Sequence, residues 1–449
     1  MLNGQWYRSD YTSNYLGTYT FESLDEYNAG LPRSYNQRIG DPNIAYFNLE
    51  AGFYGQDDIR VRRGLTLTPG VRYEAQTHMN DYNNWGPRFG VTWAPFKNGK
   101  TTLRTSWGIF YDWLTTNTYE QTLRVDGFRQ QELNIINPSY PDPSGNITRV
   151  TPVNRYLLDP DLQNAKNSRI SGGLDYQFTQ RLRASGTYRY VRGRGLLRGQ
   201  NLNAPIDGLR PDPTFGNVVQ VVSDARSRQH VFQLNAQTPP PAPPMGGGPR
   251  WDWKRWGFFS GYTYAHNNND TDGAFSIPAT GSLAGEWGPS PGTVRHRLQA
   301  GFTSSMLRGF GWQFDGQFSS GAPYNIQTGY DDNGDLIFND RPAGVGRNSA
   351  RATPDWRTNL FMSYSFTFGP RIVLPGGPMI YGTPAGISMT TFTPPPQGRY
   401  RVSLNCFVYN ATNHVSLGGY SGVMTSPFFR QATLAQQARR INFGIGLGF

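Results

Sequence analysis

The chain of 449 residues lacks any long apolar run. No stretch approaches the roughly 18 consecutive apolar residues of a transmembrane helix, so a helical membrane protein is excluded. Its single cysteine, Cys406, excludes a disulfide framework and a zinc site built from cysteines. Only 16% of the residues are charged, and the net charge of +11 comes from arginines scattered along the chain. Without a basic cluster or a recognisable motif, we expect no nucleic-acid partner.

The sequence also lacks the usual marks of secretion and of catalysis. The segment from Met1 to Trp6 has neither the charged start nor the apolar stretch of a signal peptide, so we expect a piece of a longer protein. The five histidines show no metal-ligand spacing, and no nucleophile elbow, phosphate loop or His-Glu-x-x-His helix is present. We therefore expect no enzyme activity and no cofactor.

The end of the chain shows a strict alternation. Every second residue is apolar at Ile441, Phe443, Ile445, Leu447 and Phe449, whereas the residues between are asparagine or glycine. Because side chains on a strand point alternately to opposite faces, this pattern predicts a strand with one apolar face. Strands of outer-membrane barrels are apolar toward lipid and polar toward the lumen, and the terminal Phe449 is predicted to be the signal that the barrel-assembly machinery reads.

The same alternation recurs along the whole chain, which is rich in aromatic residues at 14%. It is evident at 65–74, 88–93, 102–111, 181–190, 310–319, 359–368 and 400–408. We predict an all-β fold, an antiparallel transmembrane β-barrel of about 14 strands, located in the bacterial outer membrane. Either these strands close alone, or strands upstream complete the cylinder, because lipid cannot satisfy an open sheet edge.

The connections alternate between short turns and long polar segments. The long segments, rich in Asn, Asp, Pro and Gly, lie near 112–167, 195–227, 267–291, 321–352 and 410–437. In barrels of this kind, short turns are periplasmic and long loops extracellular. We therefore interpret residues 1–449 as one barrel domain with five long extracellular loops.

Seven arginines share the polar side of the alternating segments. A charge that faces lipid is costly, so we predict that they face the lumen. They are Arg72, Arg88, Arg104, Arg181, Arg183, Arg189 and Arg401. Whether this basic wall selects anionic solutes or pairs with a plug is left open by the sequence.

One loop segment has the spacing of a cation site. Asp331, Asn333 and Asp335 offer oxygens at alternate positions, and Asn339 follows. Calcium loops use such spacing because hard cations bind several oxygens around one turn. Calcium is the one metal that the sequence suggests, and a hydrogen-bonded Asx turn is the alternative.

Several segments, taken together, resemble the C-terminal part of TonB-dependent outer-membrane receptors, specifically the Oar-like branch. They are 56–61 with 65–74, 86–90, 99–104, 108–112, 332–335 with 339–344, and the closing strand. The resemblance implies a barrel of about 22 strands with a plugged lumen. It also implies coupling through the plug to a TonB complex. No plug and no early barrel strands precede these segments in this sequence.

The resemblance implies outer-membrane transport of a bulky solute, whose identity the sequence does not reveal. The implied partners are outer-membrane lipid, the barrel-assembly machinery, the TonB complex and the solute. Two other functions remain open: a structural or adhesive surface protein, since long loops suit contacts with a matrix or another cell, and an autonomous passive porin.

Overall fold

The structure, a computed structural model, describes residues 1–21, 23–143, 149–239, 250–372, 377–383, 386–392 and 397–449. Within these ranges, 14 strands in chain order form one antiparallel sheet, each paired with the next. They are β1 Leu2–Ser9, β2 Ile44–Gln56, β3 Leu65–Gln76, β4 Asn84–Trp93, β5 Thr101–Asp112, β6 Ala165–Gln177, β7 Arg183–Asn201, β8 Phe215–Gln237, β9 Trp256–Asn269, β10 His296–Ser304, β11 Phe310–Ser319, β12 Asp355–Ile372, β13 Gln397–Tyr409 and β14 Arg440–Gly448. The predicted all-β antiparallel fold is confirmed.

The strand register gathers the apolar residues onto one face of the sheet. In β14, Ile445 pairs with Leu404 of β13, and Leu404 pairs in turn with Tyr364 of β12. The same face continues across all 14 strands. It carries Trp6, Phe47, Phe53, Tyr73, Phe89, Trp107, Ile170, Tyr188, Phe232, Tyr262, Phe302, Phe314 and Leu360.

This apolar face is uncovered. Ile445 is 74% exposed and Leu447 73%, and Trp107 and Ile170 in the middle of the sheet are also more than one third exposed. A continuous apolar surface of this extent is far larger than the patches that soluble monomers expose. The sheet therefore requires a non-aqueous surrounding on this side.

The opposite face is polar, and it is the covered one. Glu74, Gln76 and Asn84 on this face are buried, because the long connections fold over it. The hydrophobic core is small and lies at the same end of the sheet, where Met79 packs with Leu114, Leu162 and Val221. The long connections therefore bury polar residues of the sheet, whereas its apolar face stays exposed.

The connections leave the sheet at two opposite ends. Short turns at 94–100, 178–182 and 305–309 lie at one end of the sheet, and glycines with positive φ, such as Gly99 and Gly309, allow the tight reversal. The other end carries connections 10–43, 77–83, 113–164, 202–214, 270–295, 320–354 and 410–439.

The predicted loop near 195–227 is too long. β7 continues to Asn201 and β8 begins at Phe215, so the connection is only 202–214. This part of the hairpin extends beyond the apolar band, and its polar residues do not alternate, which made it look like a loop. A short strand, Val153–Leu158, pairs in parallel with β8 along this extension.

The long connections contain secondary structure of their own. Two of them, 10–43 and 113–164, share a four-stranded sheet of Thr18–Thr20, Ser34–Gly40, Gln130–Ile136 and Arg149–Thr151. They also contain the helices α1 Leu24–Ala29 and α2 Thr116–Arg124. The remaining short strands are Ile59–Arg62, Gly288–Pro289, Pro323–Tyr324, Ala350–Arg351, Gly377–Thr383, Gly386–Phe392, Leu417–Tyr420 and Ala432–Ala435. In the described part of the chain, no helix has the length and apolar character needed to cross a membrane.

The two outer strands have one neighbour each. Within the described residues, β1 pairs only with β2 and β14 only with β13. Unpaired backbone groups are very unfavourable in hydrocarbon, so a membrane requires both edges to be paired. In the described residues the sheet thus has two unpaired edges, β1 and β14, which closure of a barrel would pair.

Candidate solute pathway on the polar face

Six of the seven predicted arginines lie on the polar face of the sheet, each between two neighbours that point to the apolar face. They are Arg72, Arg88, Arg104, Arg183, Arg189 and Arg401. Arg104 forms an ion pair with Asp175 of β6, and Arg72 lies 2.6 Å from the carboxylate of Glu74. The polar face thus carries both paired and unpaired arginines.

Arg181 is the exception. It lies in the turn before β7, and its guanidinium donates hydrogen bonds to the carbonyl of Lys254 at 2.7 Å and of Trp256 at 2.5 Å. The turn closes through the amide of Phe178, which donates to the carbonyl of Leu182. The sequence placed Arg181 on the strand because the alternation was extended two residues too far. Its role in the structure is to link two adjacent turns.

Arg88 and Arg169 meet at one aromatic ring. Phe110 of β5 points to the polar face, and the guanidinium carbons of Arg88 and Arg169 lie 4.4 and 4.5 Å from its ring centroid. A guanidinium over an aromatic face is attracted by the ring's electrons. Arg88 belongs to β4 and Arg169 to β6, the strands on either side of β5. The ring therefore orients both cations.

Gly108 makes this arrangement possible. It pairs with Arg88 on one side and with Arg169 on the other. A Cβ atom at this position would lie 3.0 Å from a ring carbon of Phe110 and 3.2 Å from Cγ of Arg88. Glycine leaves the space into which the ring and the two arginines converge.

Hydroxyl groups and a third arginine complete the cluster. The side chains of Ser106 and Ser171 are hydrogen bonded at 2.7 Å, and Ser171 pairs with Arg189 of β7. A cavity of about 330 Å³ is lined by these residues together with Arg88, Phe110 and Arg169. We call Arg88, Arg169, Arg189, Phe110, Ser106 and Ser171 the arginine cluster.

A larger cavity of about 730 Å³ lies beside the arginine cluster, toward the long connections. Arg169 and Arg189 line both cavities. The larger cavity is also lined by Leu114 and Thr118 around the start of α2, and by Thr271 from the connection after β9. The two cavities thus lie next to each other on the polar face, with Arg169 and Arg189 between them.

The three arginines of the cluster have no paired carboxylate. Within the described residues, no Asp or Glu oxygen lies within ion-pair distance of Arg88, Arg169 or Arg189. Arg169 and Arg189 are exposed, and Arg88 is half-buried. The sequence analysis missed Arg169, although it precedes Ile170 and Leu174 in an alternating segment that gives its face.

The long connections are joined by polar contacts. Arg347 is 3% exposed and donates to the carbonyl and the side-chain oxygen of Asn269 at 2.8 Å. Arg124 of α2 is 4% exposed and donates to the hydroxyl of Ser9 at 2.6 Å and the carbonyl of Tyr11 at 3.0 Å. Each arginine satisfies several backbone carbonyls, which links connections distant in sequence.

The predicted calcium segment forms a series of turns. The oxygens of Asp331, Asn333 and Asp335 accept backbone amides of Leu336, Asp335 and Ile337, at 2.8 to 2.9 Å. Burial raises the pKa of Asp335 to about 6. Across the described residues, no three His, Cys, Asp or Glu side chains are grouped to hold a metal.

Two oxygens in the same segment accept no hydrogen bond. They are Oδ1 of Asp331 and Oδ1 of Asn339, and both are buried. A buried oxygen without a donor is unusual, and a bound cation is one explanation for it. Calcium in this loop stays a prediction.

The C-terminal Phe449 follows β14 and is 99% exposed. Its neighbours on the apolar face, Leu447 and Ile445, are exposed in the same way. Recognition of Phe449 by the barrel-assembly machinery stays a prediction.

Comparison with known proteins identifies the family. The model of the family described as "Outer membrane beta barrel domain" matches residues 2–81 and 78–442, nearly the whole chain. The chain belongs to this family. Its apolar face therefore lies against the lipid of the bacterial outer membrane, as predicted. A search of curated proteins found no match.

Solved structures with the same fold are outer-membrane transporters and receptors. The outer membrane transporter YddB from Escherichia coli superimposes with a TM-score of 0.57 at 13% identity, over 93% of this chain and 47% of that one. The ferric enterobactin receptor PfeA from Pseudomonas aeruginosa gives 0.54 at 12% identity, over 92% and 50%. The siderophore receptor PirA from Acinetobacter baumannii gives 0.52 at 11% identity, over 93% and 52%. This chain spans about half the length of these structures.

Proposed function

We propose that this outer-membrane barrel domain transports a bulky solute, as the barrel portion of a TonB-dependent receptor of the Oar-like branch. The observation that carries the proposal is the pair of adjacent cavities on the polar face, one lined by residues of the long connections and the other by the arginine cluster, with Arg169 and Arg189 in both. A cavity of about 730 Å³ is in the range of sites that hold small-molecule ligands. The fold shared with transporters and receptors supports the same reading.

The polar face then lines the lumen, and the long connections are extracellular. Arginines on this wall avoid the cost of a charge in lipid, and the interlocked connections form a fixed entrance above them. The partners in this proposal are outer-membrane lipid, the barrel-assembly machinery, the solute, and a TonB complex that acts through a plug domain of the longer receptor.

The test uses the source bacterium. Uptake of labelled oligosaccharides, peptides and metal chelates is compared between the parent, a strain deleted for this gene and a strain deleted for TonB. We expect a shared subset of solutes to be lost in both deletions. The parent gene on a plasmid should restore uptake of these solutes in the first strain only.

Two outcomes contradict the proposal. Solutes lost with the gene but retained without TonB identify a passive porin. Uptake that is unchanged, with surface attachment lost, identifies an adhesive protein. Both are distinguished in the same three strains.

A further inference from the structure

We propose that the arginine cluster binds an anionic group of the solute, a carboxylate or a phosphate. This inference rests on the proposed transport function, because it takes the polar face as the wall of the solute pathway. It adds the chemical class of the group that the pathway recognises and the residues that recognise it.

The first argument is charge balance. Arg88 and Arg169 contact the same ring, Arg189 lines the same cavity, and none has a carboxylate partner among the described residues. Neighbouring like charges raise the free energy of the folded wall, and water reduces this repulsion only in part. An anion between the three guanidinium groups removes it. The paired Arg104 and Arg72 nearby have no such requirement.

The second argument is geometry. A guanidinium is planar and presents its N–H groups in the plane, a fork that matches the two oxygens of a carboxylate or phosphate. Phe110 lies against the guanidinium groups of Arg88 and Arg169, and among the described residues neither group has a hydrogen-bond acceptor, so their N–H groups are available to a ligand. Ser106 and Ser171 add hydroxyl donors to the same cavity. A ring that fixes the cations in advance lowers the entropy lost on binding.

The third argument is access. Arg169 and Arg189 are exposed and line the large cavity as well as the small one. An anionic group can therefore meet these two residues first, while the body of the solute occupies the large cavity. Arg88, which is half-buried and lines only the small cavity, then completes the contact.

The experiment measures anion binding by the intact receptor, purified in detergent. Citrate and inorganic phosphate are titrated by calorimetry, with maltose as an uncharged probe. The variants are R169Q, R189Q and the double variant. R401Q is the matched control, because Arg401 is an exposed arginine on the same polar face but lies in β13, far from the cluster in strand order.

We expect the parent and R401Q to bind at least one of the two anions and to ignore maltose. Each single variant should bind about tenfold more weakly, since a hydrogen bond to a charged group contributes on that scale. The double variant should show no measurable binding. Circular dichroism and heat-modifiable mobility on gels establish that each variant retains the sheet.

Equal affinity of the double variant and the parent, or an equal loss in R401Q, overturns the proposal. So does the absence of anion binding in the parent. These results are independent of TonB-dependent uptake, so the binding site and the transport function can fail separately.

Discussion

Glu286 and Arg341 form a bidentate ion pair, with oxygen–nitrogen distances of 2.7 and 3.1 Å, that joins the connection after β9 to the connection after β11. Their side chains are 5% and 10% exposed. The oxygen of the shorter contact, Oε1 of Glu286, also accepts a hydrogen bond from the backbone amide of Ala279. Removal of one partner would leave the other charge buried and unpaired.

We therefore expect R341Q to loosen both connections, at a local cost of about 3–5 kcal/mol, while the sheet stays intact. Limited proteolysis of the folded barrel measures this: cleavage at 270–295 and 320–354 should become much faster in R341Q. R357Q is the control, because Arg357 forms an exposed ion pair with Asp355. Equal protection of R341Q and the parent would show that the pair does not hold the connections together.

A pH-sensitive contact links the connections 77–83 and 113–164. His78 stacks on Tyr119 of α2 with ring centroids 3.7 Å apart, and its Nε2 lies 2.9 Å from the carbonyl oxygen of Phe47. Burial lowers the pKa of His78, and the hydrogen bond to Phe47 offsets only part of this effect. The folded chain thus holds this imidazole neutral at pH values where the unfolded chain protonates it.

The contact should therefore weaken as pH falls below about 6.5, the ordinary value of histidine, and be fully weakened below the lowered pKa. We expect protease sensitivity of the connection 77–83 to rise over this pH interval in the parent. H78F retains an aromatic ring but removes the titrating group together with its hydrogen bond to Phe47, so its sensitivity, whatever its level, should not change with pH. An identical pH profile in H78F would assign the effect to another group.

Calcium is the third prediction. Oδ1 of Asp331 and Oδ1 of Asn339 are buried without a hydrogen-bond donor, and the buried carboxylate of Asp335 lies in the same segment. Hard oxygen ligands of this kind bind calcium when several of them converge. We expect millimolar calcium to slow proteolysis of the connection 320–354 relative to a chelator, and D331N to abolish the difference. If the parent is cleaved equally fast with calcium and with the chelator, the segment forms turns only and does not bind calcium.

The faces of the strands were predictable from sequence, whereas contacts between strands were not. Alternation around Trp107 and Ile109 places Arg104 and Phe110 on the polar side without any structure, because the side-chain period of a strand is two. That Phe110 lies between Arg88 and Arg169 depends on the register of three strands, which the turns set. Alternation also does not show where a strand ends: it predicted Arg181 on a strand, whereas this residue lies in the turn before β7.

The long connections were the least predictable part. Glu286 and Arg341 lie 55 positions apart in segments without periodicity, so no pattern indicates their pairing. The extension of β7 and β8 was mistaken for a loop, because the long connections cover it. Val221 and Val222, which point to opposite faces of β8, are both buried, so apolar and polar residues do not alternate there. Such contacts arise from tertiary packing of individual polar groups, which local sequence does not encode.

The last prediction concerns Gly108, which lies between Arg88 and Arg169 in the sheet. A valine there would bring its Cβ to 3.0 Å from the ring of Phe110 and 3.2 Å from Cγ of Arg88, tighter than most Cβ contacts, and would add two methyl groups to the same space. The ring would have to move, and both guanidinium groups would lose the surface that orients them. Valine is otherwise favourable in a strand, so G108V should keep the fold.

We expect G108V to bind citrate or phosphate several-fold more weakly than the parent, although all three arginines remain. G172V is the matched control, because a Cβ at Gly172 in the adjacent strand β6 meets no atom within 4 Å. Calorimetry under the same conditions compares the three proteins. If G108V and G172V bind alike, the orientation by Phe110 does not contribute, and the arginines act as independent charges.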